Sequence, residues 1–106
     1  MRRISDAELR GKRQEYLAQI LVSDEEVQRL GGGPPDRVVD GLGARLSTPV
    51  RLETGVIAVL ARHEVHPPVP GYIMTAVSEL PGEEIVEQFL RESGLPASAV
   101  LRPTAD

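Results

Sequence analysis

Val50-Arg51-Leu52-Glu53-Thr54-Gly55-Val56-Ile57-Ala58-Val59-Leu60-Ala61-Arg62-His63-Glu64-Val65 is the stretch whose reading decides the fold of this chain. In its first half Val50, Leu52 and Thr54 alternate with charged neighbours, as in a half-buried strand. In its second half Val56 to Ala61 is continuously apolar, as in a strand buried on both faces. The competing reading is a helix capped by Thr48 with Pro49 at its first position. Such a helix would carry Gly55 in its interior and many β-branched residues, so the expectation is a strand followed by a buried strand.

Downstream, His66-Pro67-Pro68-Val69-Pro70-Gly71 is expected to be an extended connector, because residues before proline avoid the helical region and three prolines remove three donors. Residues 72–77 follow as a strand. Pro81-Gly82-Glu83-Glu84 then opens a helix over 82–93, with its carboxylates at the positive end of the dipole and Ile85, Val86, Phe89 and Leu90 as its buried stripe. Gly94 and Pro96 end it, and Ala99-Val100-Leu101 suits a short final strand.

Upstream, Ser5 and Glu8 form a capping box with Ile4 and Leu9 as a staple, which predicts a helix over 6–22 carrying Leu9, Tyr16, Leu17, Ile20 and Leu21 on one face. Ser23 and Glu26 repeat the device for a short helix through Leu30, stopped by Gly31. After the breaker run Gly31-Gly32-Gly33-Pro34-Pro35, Asp36 is placed to cap a third helix with Val38, Val39, Leu42 and Leu46. The expected fold class is therefore α+β. N-terminal helices in residues 1–46 precede a small, mostly antiparallel sheet in 47–106, with the helix over 82–93 packed on it in a single domain.

The 106 residues carry a net charge of −4, with 26% charged, 41% apolar and 3% aromatic side chains. An acidic chain argues against nucleic acid as a partner, although Arg2, Arg3, Arg10, Lys12 and Arg13 make the first segment basic. Residues 79–92 are acidic, with Glu79, Glu83, Glu84, Glu87 and Glu92 against Arg91, so the two ends complement each other within one subunit or across a dimer. Cysteine is absent, which excludes disulfides and thiolate chemistry and fits a cytoplasmic location. No apolar run reaches the roughly 18 residues of a spanning helix, and no signal segment follows Met1-Arg2-Arg3, so no membrane partner is expected. Among 12 cationic side chains only Lys12 is a lysine, a bias that suits a GC-rich bacterial genome.

Titratable chemistry concentrates between His63 and Tyr72. His63 and His66 are three apart, which would join them on a helix but sends them to opposite faces of a strand. Glu64 shares a strand face with His66, yet His-Glu-x-x-His spacing is absent and no metal site is expected. The catalytic candidates are His63, His66, Glu64 and Tyr72, and Arg51 and Arg62 are the candidates for holding an anionic small molecule. Gly31-Gly32-Gly33 lacks the Lys-Ser or Lys-Thr of a phosphate loop, and no serine sits in a nucleophile elbow. No cofactor is implied. The expectation is a small cytoplasmic accessory or regulatory protein acting through protein–protein contacts as a homodimer. The alternative is a small enzyme or anionic-ligand binder with a pocket around Arg62, His63, His66 and Tyr72.

Overall fold

A computed structural model describes residues 1–41, 43–64 and 71–102, without the side chains of Asp40 and Arg102. Seven strands form one antiparallel sheet: β1 (Arg2–Arg3), β2 (Glu15–Ile20), β3 (Asp36–Asp40), β4 (Gly43–Arg51), β5 (Ile57–His63), β6 (Tyr72–Val77) and β7 (Val100–Arg102). The order is β1-β4-β5-β6-β2-β7, and β3 also pairs with β4. Because β5 occupies one edge of β4 from Arg45 to Arg51, β1 and β3 must share the other. Pro49 sits in the gap between their pairings. Its carbonyl accepts from Ile4 N at 3.0 Å on that edge, so its missing N–H falls where no ladder bond is needed.

The decisive stretch resolves as two strands. β4 and β5 are joined by a tight turn in which Gly55 N donates to Leu52 O, and Gly55 takes φ 94°. Thr54 therefore lies in the turn rather than in the strand. Residues 72–77 form β6 as expected.

The N-terminal helices are where the expected fold class fails. Among the described residues there are two α-helices, α1 (Asp24–Gly31) and α2 (Gly82–Ser93), and the first 46 residues hold more strand than helix. The Ser5–Glu8 capping box forms, but it starts only a 3₁₀ turn, Asp6–Leu9. The chain leaves that turn through Gly11 at φ 74° and enters β2. The reason for the helical pattern in β2 is a bulge between Tyr16 and Ala18, which lets adjacent Leu17 and Ala18 both enter the core and destroys strict alternation. The third expected helix is instead the β3–β4 hairpin, closed between Asp40 and Gly43 with Gly41 as its first turn residue. Leu42 and the proline connector 65–70 lie outside the described residues.

Two apolar layers result. On one face, α1 contributes Val27 and α2 contributes Ile85, Val86 and Phe89 over Ala18, Ile20, Val50, Ala58, Leu60, Tyr72, Met74 and Ala76. Ser23 caps α1, its Oγ accepting from Glu26 N at 3.1 Å, and Gly94 closes α2 with a left-handed φ of 78°. On the other face only Ile4 and Leu9 are laid over Ile57 and Val59. The end of β2 and the start of β6 touch so closely that a Cβ on Gly71 would stand 2.3 Å from Ile20 O. No helix among the described residues is long and apolar enough to cross a membrane.

Candidate functional site

Five described side chains gather on the helix face, at the end of the sheet where β5 finishes, β6 starts and α1 begins. Leu60 faces the helices, so period-two alternation turns Arg62 the same way, and Tyr72 enters from β6. The Tyr72 hydroxyl donates to Asp24 Oδ1 from the first turn of α1. Arg62 Nε donates to the same oxygen at 3.1 Å, and its guanidinium lies 6.0 Å from the Tyr72 ring centroid. Arg62 Nη1 is also used, donating to His63 O at 3.2 Å. Nearby, Arg37 grips Glu64 in a two-pronged pair, with bonds of 2.7 and 3.2 Å.

These contacts set the protonation states. Burial first, and the Asp24 carboxylate second, push the Tyr72 phenol up to about 12, with Arg62 opposing them. The hydroxyl therefore stays protonated near neutral pH, far from the range in which it could act as a general acid or base. The hydrogen bond to Arg37 and its charge hold Glu64 below the usual carboxylate range, and desolvation opposes them only in part.

The candidates do not converge into one pocket. Arg62, Tyr72 and Glu64 come together, joined by Asp24 and Arg37, which sequence reasoning missed. Asp24 was hidden in a helix-start signal, directly after the Ser23 cap. His63 falls on the opposite face, across from Arg45. Arg51 is at the far end of β4, with Nη2 3.4 Å from Glu8 and Nη1 donating to Gly55 O at 3.3 Å. His66 lies outside the described residues. Among the described residues no group of three His, Asp or Glu side chains is arranged to hold a metal ion. The cluster thus works chemically as a clamp between α1 and the sheet.

The face away from the helices offers a different kind of surface. Cross-strand register aligns Ala61 with Ile73, Val59 with Thr75, and Ile57 with Val77, and places Tyr16 beside Thr75. Ile57 and Val59 are buried by Ile4 and Leu9, whereas Ala61, Ile73, Thr75 and Val77 are half-buried and Tyr16 is 41% exposed. Arg45 and His63 stand at one end of this strip and Arg51, across from Ile57, at the other; between them it is uncharged, with Gln19 beside Ile73. The basic N-terminal side chains do not form a patch with it: Arg3 pairs with Asp36 at 3.1 Å and Arg13 with Glu15 at 3.4 Å.

No protein-family model, curated protein or solved structure matches the chain.

Proposed function

We propose that the protein is a small cytoplasmic accessory or regulatory protein of a bacterial cell that works through protein–protein contact, with a second copy of itself seated on the helix-free sheet face. The observation that carries this reading is the uncharged strip of Tyr16, Ala61, Ile73, Thr75 and Val77, half-exposed on a sheet whose other face is packed by α1 and α2. Solvated faces of antiparallel sheets ordinarily alternate to polar residues, and this one carries its charges only at its ends, with Gln19 and Thr75 as its central polar groups.

Charge favours a like copy meeting it sheet to sheet. The helix layer carries Asp24, Glu25 and Glu26 in the first turn of α1, and Glu83, Glu84, Glu87 and Glu92 on α2. Two copies would therefore repel helix to helix. Stacked sheets pack about 10 Å apart with interdigitating side chains, a geometry identical faces satisfy across a two-fold axis.

Sedimentation equilibrium tests the proposal. The wild type is expected to be dimeric at micromolar concentration, and Ile73→Glu monomeric with unchanged circular dichroism. A monomeric wild type, or a dimer that survives Ile73→Glu, contradicts it.

The anionic-ligand alternative has less support. The guanidinium groups of Arg62 and Arg51 already serve Asp24 and Glu8, so an anion would have to displace a carboxylate from each.

A further inference from the structure

At the opposite end of β2 and β6 from the tyrosine clamp, two adjoining cavities open. The first, about 350 Å³, lies where the start of β2, the end of β6 and the start of α2 meet. Leu80, half exposed, gives it an apolar side above the buried Leu17, Ala76 and Ile85, and Glu15, Ser78 and Glu79 line most of the rest with polar groups. The second, about 410 Å³, shares Glu15, Ser78 and Glu79 and adds Lys12, Arg13 and Val77. The charged lining of the first cavity is negative, and the second sets Lys12 and Arg13 against those same two carboxylates.

These charges are not used internally. Among the described residues, neither Lys12 nor Glu79 takes part in an ion pair or side-chain hydrogen bond. Among the described residues Glu15 pairs with Arg13 at 3.4 Å, a pair with Arg13 89% and Glu15 58% exposed, which contributes little. Ser78 Oγ accepts from Leu80 N at 2.9 Å, leaving its O–H free to donate outward. A pair of carboxylates, a hydroxyl donor, two cations and an aliphatic wall around small-ligand volumes match one ligand chemistry.

We infer that this double cavity binds a small zwitterion with an aliphatic side chain, an amino acid or a dipeptide. Its ammonium group sits between Glu15 and Glu79, its carboxylate is held by Lys12 and Arg13, and its side chain lies on Leu17, Leu80 and Ile85. The hydroxyl of Ser78 serves whichever end lies across the shared boundary. Neither a simple anion nor a simple cation satisfies both walls, and leaving one wall's charge unanswered is what discriminates against it.

The test is a titration of the full chain with leucine and with leucyl-leucine, followed by amide chemical shifts. Saturable shifts centred on Glu15, Ser78, Glu79 and Gly82 are expected with at least one of the two, and the stronger binder reports the span between the charges. N-acetyl-leucine lacks the ammonium charge and leucinamide lacks the carboxylate. Each is expected to bind at least about fivefold more weakly, the equivalent of one exposed ion pair. Glu79→Gln and Lys12→Ala, both at exposed and unpaired positions, should cost a similar factor while leaving the rest of the spectrum unchanged. No saturable shift with either zwitterion, shifts centred elsewhere, or equal binding of the two capped analogues overturns the assignment. Because Tyr16 and Val77 also line the cavities, each titration is run at a concentration where sedimentation has fixed the oligomeric state, so loss of ligand binding and loss of self-association are read separately.

Discussion

Thr48 is 1% exposed and its hydroxyl has no hydrogen-bond partner among the described residues. A buried, unanswered hydroxyl costs about 1–3 kcal/mol, so Thr48→Val is expected to stabilise the protein by about 1 kcal/mol in urea unfolding. Equal or lower stability would mean that the hydroxyl is satisfied. Tyr72 makes a second residue-scale prediction. Folding raises its pKa, so its contribution to stability is complete below the unfolded value of 10.0 and is lost as pH climbs towards about 12. A spectrophotometric titration should resolve one tyrosine ionising near 12, absent in Tyr72→Phe. Appearance of all the tyrosinate around the ordinary value would contradict this. At this scale the sequence was legible for several local contacts: the Ser5–Glu8 box, the Ser23 cap and the Gly94 stop form, whereas Gly31, expected to stop α1, is its last helical residue and Gly32 caps it. It was illegible for Asp24 and Arg37, whose partners Tyr72 and Glu64 lie 48 and 27 residues away.

Among the elements, β5, β6 and α2 were legible because their patterns are unbroken: a continuous apolar run, a short β-rich segment and a helix bounded by proline and glycine. β2 and β3 were not. The bulge in β2 puts two consecutive side chains into the core, and a one-residue irregularity in a short strand is enough to imitate helical spacing. In β3, helix-start chemistry at Asp36 masked the Asp40-Gly41 turn. Asp36 is used instead across strands, accepting from Asp6 N at 2.9 Å and pairing with Arg3. Helix α2 is pinned by Glu92, whose carboxylate meets the Met1 ammonium at 3.0 Å with both groups at or below 10% exposure and also accepts from Glu53 N. Burial raises the pKa of Glu92, but the ammonium, the Glu53 N–H and Gln88 together outweigh it and hold the group below its ordinary value of 4.5. Its contribution is therefore present above pH 4.5 and lost as pH falls through the lowered value. Glu92→Gln should cost about 1–3 kcal/mol at neutral pH, with the difference shrinking in acid. A cost independent of pH would show that the charge is not what matters.

For the molecule as a whole, the complementarity expected between a basic start and an acidic end takes a narrow form. Among the described residues the ion pair joining the two segments is the one at Glu92, and the remaining carboxylates of α2 face outward. The result is a lopsided particle: an acidic helix layer, a sheet, and a second sheet face whose apolar cover among the described residues is Ile4 and Leu9. That asymmetry could not be read from the chain, because it depends on which strand edge β1 and β3 occupy and on the number of helices. Its consequence is the association proposed above. The most direct measurement is an isotope-filtered nuclear Overhauser experiment on a mixed sample of labelled and unlabelled chains. Contacts between copies are expected from the methyl groups of Ala61, Ile73 and Val77 and the ring of Tyr16. Contacts confined to residues of α1 and α2, or none at all at millimolar concentration, would contradict the assignment of the sheet face as the meeting surface.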